Sequence, residues 1–119
     1  MTAPNILSLS TITGKTAVAN VTTTSSNVVT NSSGSNQVLK VNSLIVSNID
    51  PANTVYVTAG LLRSSVLWKV ASTIPIPCNA AIVILAKDSN IYLEEGDAVS
   101  ISANANNGLH AVLSYEIIG

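Results

Sequence analysis

The chain has 119 residues, of which 47% are hydrophobic and only 9% are charged, and its formal net charge at pH 7 is −1. This length predicts one domain. The five Lys and Arg residues are scattered, whereas a nucleic-acid-binding surface needs them clustered. No apolar run approaches the roughly 18 residues that span a membrane. We therefore expect neither nucleic acid nor membrane among the partners.

The polar surface of this chain must come largely from Ser, Thr and Asn, because charged residues are so few. A free protein usually keeps a charged surface, which opposes aggregation. This composition therefore predicts a subunit that is mostly covered in an assembly. The N-terminus lacks a basic stretch followed by an apolar one, so we expect no signal peptide.

The first predicted element is an N-terminal arm, residues 1–14, which Gly14 separates from a β-domain of residues 15–119. Its apolar side chains alternate with Ser and Thr and are too apolar to be left in water. We therefore predict that the arm packs across another subunit. The predicted subunit-interface residues are Ile6, Leu7, Leu9 and Ile12.

Strand patterns fill the rest of the chain, with turns about every ten residues. Residues 54–59, 66–76 and 99–103 alternate, residues 60–65 are expected to connect two strands, and the apolar run 80–86 predicts a strand buried on both faces. The predicted fold is all-β, an antiparallel β-sandwich of jelly-roll type. An immunoglobulin-like sandwich is the alternative.

Residues that could carry chemistry are few. His110 is the only histidine and is expected at the surface, and Cys78 is expected to be a buried, inert thiol. The chain shows no pattern of nucleophile, base and metal ligands, so the sequence predicts no enzymatic activity, no catalytic residues, no metal site and no cofactor.

Two further features have competing interpretations. Trp68 alternates in phase with Val66 and Val70, which favours core packing over ligand stacking. Glu94, Glu95 and Asp97 could offer oxygen ligands to Ca²⁺, but a turn that needs solvated residues explains them as well, and we favour the turn.

Seven short segments carry a family resemblance. They are Lys15-Thr16-Ala17, Asn20-Val21-Thr22-Thr23-Thr24, Val41-Asn42-Ser43, Val46-Ser47-Asn48-Ile49-Asp50, Ile74-Pro75-Ile76-Pro77, Tyr92-Leu93-Glu94-Glu95-Gly96-Asp97 and Leu113-Ser114-Tyr115-Glu116-Ile117-Ile118. In them the chain resembles small β-sandwich virion proteins of tailed bacteriophages, especially phages of cyanobacteria and other marine bacteria. Residues 54–72 resemble this family least.

The resemblance implies a non-enzymatic structural virion protein. Its expected role is a capsid decoration or cement protein that stabilises contacts between major capsid proteins, often as a homotrimer. It would lie on the capsid surface of the virion, and in the host cytoplasm during assembly. The alternative is a tail, neck or fibre component, possibly a receptor- or carbohydrate-binding module. The scarcity of aromatic residues, 3% of the chain, argues against the carbohydrate module.

Overall fold

The computed structural model describes residues 12–86, 88, 91–106 and 108–119. Nine β-strands account for most of them, and no α-helix occurs in these ranges. The all-β prediction is confirmed. The strands are β1 (Ile12–Val21), β2 (Ser26–Thr30), β3 (Val38–Asn48), β4 (Val55–Arg63), β5 (Val66–Ile76), β6 (Ala81–Leu85), β7 (Ile91–Leu93), β8 (Ala98–Ala103) and β9 (Leu109–Ile118).

The strands form two antiparallel sheets that pack as a sandwich, as predicted. The five-stranded sheet has the order β1-β9-β3-β6, and β7 also pairs with β3, through Leu39–Val41, whereas β6 pairs with residues 44–47 of the same strand. The four-stranded sheet has the order β2-β8-β4-β5. Most connections cross from one sheet to the other, so each sheet is built from strands that are distant in the sequence.

The core lies between the sheets and is made of branched aliphatic side chains. Alternation along each strand sends every second residue inward. Val55 and Val57, which share one face of the alternating stretch 54–59, are 1% and 0% exposed. The other large, fully buried side chains are, in order of volume, Leu44, Ile76, Leu93, Ile101, Leu109, Leu113, Val21, Val41, Val46 and Val99.

The apolar run at residues 80–86 is not buried on both faces, contrary to the prediction. It forms β6, which pairs with β3 alone among the described strands and lies at the sheet edge. Leu85 is 5% exposed, but Val83 is 59% exposed. An apolar run indicates a strand, but it does not reveal whether a second strand or a partner covers the outer face.

Strand β4 continues through residues that were predicted to be a connection. Its register against β5 shifts between Val57 and Ala59 and again between Ala59 and Gly60, which breaks the alternation that sequence reading depends on. The true connection is only Ser64-Ser65, where both φ angles are positive, at 53° and 64°. This geometry is typical of a two-residue hairpin turn.

The predicted N-terminal arm lies largely outside the described residues, which include none of Ile6, Leu7 and Leu9. Ile12 is described, begins β1, pairs with Ile118 and is 58% exposed. The last three residues assigned to the arm therefore belong to a strand. The packing of the arm on another subunit stays a prediction.

Candidate assembly surfaces

One end of the sandwich is held together by Arg63, at the end of β4. Its Nε donates to Asp97 Oδ1 at 2.9 Å, and its Nη2 donates to Asp97 Oδ2 at 2.5 Å and to Glu94 Oε2 at 2.9 Å. Hydrogen bonding to Asp97 and its negative charge raise the pKa of the Arg63 guanidinium. The pair fastens the β4–β5 hairpin to the turn between β7 and β8.

Asn31 fastens a second loop to the same end. It is 2% exposed, and its Nδ2 donates to the carbonyl oxygens of Gln37 and Leu93, each at 2.9 Å. The hydroxyl of Ser35 donates to its Oδ1 at 2.6 Å. Its backbone N–H donates to the carbonyl of Asp97 at 2.8 Å. All polar atoms of a buried amide are thereby satisfied, as burial requires.

These contacts correct the interpretation of the acidic turn. Asp97 is 3% exposed, so it is not a solvated turn residue. Its carboxylate accepts from Arg63 and from the backbone N–H of Glu94, the latter at 2.9 Å. Within the described residues no group of three or more His, Cys, Asp and Glu side chains could hold a metal ion. The turn therefore clamps this end of the sandwich. The sequence feature that could have indicated this role is Arg63, the single arginine in the chain.

The opposite end has its own polar anchor in Asn48, which is 2% exposed. Its Nδ2 donates to the carbonyls of Asn53 at 2.9 Å and Ile76 at 2.7 Å. Asp50 then organises the following turn, accepting from the backbone of Ala52 at 2.8 Å. This hydrogen bond, together with smaller contributions from the hydrogen bonds of Asn53, holds the pKa of the Asp50 carboxyl below its usual value.

The two residues with nucleophile or base chemistry are both at the surface. His110 is exposed on β9, as expected. Cys78 is also exposed, contrary to the prediction of a buried thiol. It lies in a turn after β5, where Asn79 has a positive φ of 58°, and this turn carries the chain out of the core.

Trp68 is 62% exposed, so the prediction that it packs in the core is wrong. It pairs with Leu61, a half-buried residue that packs against the core, and cross-strand partners share a face of the sheet. The predicted face is therefore correct. The side chain is exposed because β5 is the outermost strand of its sheet and the facing sheet ends in the short strands β6 and β7.

Two apolar surfaces result from this architecture. The first, the outer apolar row, crosses the five-stranded sheet: Val18 pairs with Val112, Val112 with Ile45, and Ile45 with Val83. Their exposed fractions are 75%, 38%, 39% and 59% in that order. Four aligned apolar side chains on the solvent side of a sheet are unusual for a protein that stays free in solution.

The second surface, the β5 apolar edge, consists of Val66, Trp68, Val70 and Ile74. They are 49%, 62%, 48% and 36% exposed. Unlike the outer apolar row, this surface lies along a single strand, which pairs with β4 alone among the described strands and whose register against β4 shifts twice between Lys69 and Ile74. It therefore offers apolar contacts along an irregular edge.

No family model matches the chain, and no curated protein matches it. Among solved structures it is similar to a chain in the acid-stable capsid structure of Helicobacter pylori bacteriophage KHP30, with a TM-score of 0.56 and 13% identity over 93% of this chain and 90% of that one. This likeness extends to the fold and, at such low identity, to nothing more.

Two weaker likenesses carry no argument. One is to a chain of the disulfide-linked pili of Bacillus endospore appendages, with a TM-score of 0.47 and 12% identity over 91% of this chain and 87% of that one. The other is to dTDP-4-dehydrorhamnose 3,5-epimerase of Bacillus anthracis, with a TM-score of 0.31 and 11% identity over 87% of this chain and 50% of that one.

In the described part of the chain, no helix has both the length and the apolar character to cross a membrane.

Proposed function

We propose that this chain is a non-enzymatic structural virion protein of a tailed phage, and that it acts as a capsid decoration or cement protein. The observation that carries the proposal is the outer apolar row, on a chain with only 9% charged residues. The likeness in fold to a chain in a phage capsid supports it. The proposed partner is the major capsid protein, and the proposed location is the outside of the shell.

The outer apolar row is suited to contact with a shell. On one side it is flanked by Thr16 and Ser114, and on the other by Asn20 and His110, so the rows next to it carry no formal charge when the histidine is neutral. Covering this face would remove apolar side chains from water without burying an unpaired charge, which is the expensive case.

Three narrower features belong to the same proposal. The strand orders β1-β9-β3-β6 and β2-β8-β4-β5 support a sandwich of jelly-roll type. The homotrimer, and the grouping with phages of cyanobacteria and other marine bacteria, come from the resemblance in sequence segments. The absence of enzymatic activity is proposed because exposed His110 and exposed Cys78 have no catalytic partner suggested by the sequence.

A carbohydrate-binding role has one observation in its favour, the exposure of Trp68. Sugar-binding sites commonly stack rings on aromatic side chains, but the exposed aromatics here are dispersed. Tyr56 pairs with Pro75 and Trp68 with Leu61, which separates the two by about 17 Å along β4 at the usual strand rise. Tyr92 lies on β7 in the other sheet. The dispersion favours the structural role.

The proposal is tested by adding the purified protein to phage shells that lack it and measuring co-sedimentation. We expect the protein to sediment with the shells, and we expect Val18→Asp together with Val83→Asp to lower occupancy about tenfold or more, because a charge would be buried at the contact. Ser32→Asp, an exposed loop change at one end of the sandwich, is the matched control and should bind normally. Failure of the unmodified protein to bind would overturn the cement role.

A further inference from the structure

His110 lies directly beside the outer apolar row, on the same face of the five-stranded sheet. On β9 it is two residues from Val112, and alternation along a strand places the two side chains on one face. Both are exposed. Together with Val18 and Asn20 of β1 they line a cleft of about 280 Å³. Any broad surface that covers the outer apolar row therefore covers His110 as well.

The neighbours of His110 on this face carry no charge that could pair with an imidazolium. Asn20 of β1 and Ser47 of β3 are its two cross-strand partners. The charged residues that share its face are Glu116, six residues or about 20 Å along β9, and Lys40, the cross-strand partner of Glu116. A positive charge on His110 would therefore be unpaired if this face were covered.

The other titratable side chains at this end of the sandwich, among the described residues, are also engaged or placed elsewhere. Asp50 lies in the turn after β3, where both of its carboxylate oxygens accept hydrogen bonds within the same turn. Cys78 lies in the turn before β6, two strands away from β9, and β6 itself contributes Ala81 next to Ser47. Tyr56 lies on the other sheet.

We propose that His110 makes contact through the outer apolar row dependent on pH: the neutral imidazole permits the row to be covered, and the imidazolium opposes it. Histidine is the side chain that ordinarily changes its charge near pH 6.5. Burying an unpaired charge is costly, whereas a neutral polar ring is covered at a much smaller cost. The inference rests on the proposed function in so far as the covering surface is the capsid shell.

The size of the effect follows from the exposure of His110 in the free protein, where water hydrates the charge. The cost therefore arises only when the face is covered. A contact that accepts only the neutral form weakens about tenfold for each pH unit below the titration of the histidine. We expect affinity at pH 5.5 to be about tenfold lower than at pH 7.5.

Co-sedimentation with phage shells at pH 7.5 and pH 5.5 tests the proposal on three proteins. The unmodified protein should lose about tenfold in affinity at the lower pH. His110→Gln keeps a polar side chain that does not titrate, so it should bind equally at both pH values. His110→Lys carries a permanent charge and should bind weakly at both. Titration of the shell itself affects all three proteins alike, and His110 is the only histidine in this chain.

Each contrary outcome has its own meaning. An equal loss of binding by the unmodified protein and by His110→Gln would show that the titrating group lies elsewhere, which overturns the proposal. Stronger binding at pH 5.5 that His110→Gln abolishes would show that a carboxylate of the partner faces the histidine, which also overturns it. Failure of the unmodified protein to bind shells at pH 7.5 would overturn the shell contact instead.

Retention on a phenyl-substituted resin measures the covering of this face without a shell. Both proteins compared carry Trp68→Ala, because Trp68 is 62% exposed on the β5 apolar edge and would bind the resin by itself. We expect the protein with His110 to be retained less at pH 5.5 than at pH 7.5, and the protein with His110→Gln to be retained equally at both. Identical pH dependence of the two would contradict the proposal, whatever the shells bind.

Discussion

At the residue scale, polar side chains at both ends of the sandwich hold the loops that the aliphatic core does not reach. Arg63 joins the β4–β5 hairpin to the turn before β8, Asn31 ties in the loop after β2, and Asn48 does the same at the opposite end. None of these three was singled out from the sequence. Their roles depend on partners up to 62 residues away, a separation that local patterns do not report.

Asp97→Asn should destabilise the fold more than Glu94→Gln. Asp97 is 3% exposed and accepts from Arg63 and from a backbone N–H, so its loss weakens a buried network by about 1–3 kcal/mol. The Glu94 side chain is 65% exposed, and an exposed ion pair contributes only about 0.2–1 kcal/mol. Urea unfolding of both variants measures the difference. Equal losses would show that the Asp97 contact does not hold this end together.

Asp50 should make stability depend on pH in the acid range. Its folded-state pKa is lowered from 3.8 by hydrogen bonds from Ala52 and Asn53, so its contribution is present above that value and is lost as the pH falls through the folded pKa. Asp50→Ala should therefore cost most at neutral pH and progressively less below pH 3.8. Thermal unfolding of both proteins from pH 7 to about pH 2.5 tests this. A difference that is constant with pH would contradict it.

At the element scale, the sequence indicates where strands form but not what covers them. The alternation at residues 66–76 correctly predicts β5, and Ile76, at its end, is buried. The same alternation places Trp68 on the correct face but cannot show that the facing sheet ends before it covers this residue. For β6, an apolar run that looks like a central strand lies at an edge.

Gly60 should be intolerant of a side chain, although sequence analysis placed it in a connection. A Cβ at this position would overlap the backbone carbonyl of Trp68 and lie 2.8 Å from the Cα of Lys69, so β4 and β5 would have to separate. We expect Gly60→Ala to lower the free energy of unfolding by about 1–3 kcal/mol or more, as overpacking does.

Gly14→Ala is the matched control for that substitution. No atom lies within 4 Å of a Cβ built at Gly14, so we expect a change within about 0.5 kcal/mol. Thermal unfolding of the two variants side by side measures both. If Gly14→Ala cost as much as Gly60→Ala, the close approach of β4 and β5 would not be the cause of the loss at Gly60.

At the scale of the whole molecule, composition was the most informative signal. The scarcity of charge and the abundance of branched aliphatic residues predicted both a sandwich and a surface that an assembly covers. The sandwich is present. The two exposed apolar surfaces could not be located from the sequence, because each arises from strands brought together by the fold: Val18 and Val83 share one row although 65 positions separate them (83 minus 18).

The outer apolar row lies across one sheet and suits a broad face, which is the kind of contact that the proposed cement role needs. Under that proposal, Val18→Asp together with Val83→Asp should lower the heat resistance of the particles, which can be measured as the temperature at which DNA is released.

The central claim is that this protein covers a phage capsid, and locating it on the particle tests that claim most directly. Particles carrying a tagged copy can be labelled and imaged by electron microscopy, and the label can be mapped in an averaged reconstruction. We predict label distributed over the whole shell at repeated positions between major capsid proteins. Label confined to the tail, the neck or the fibres would contradict the cement role and favour the tail alternative, and particles without label would contradict a virion role altogether.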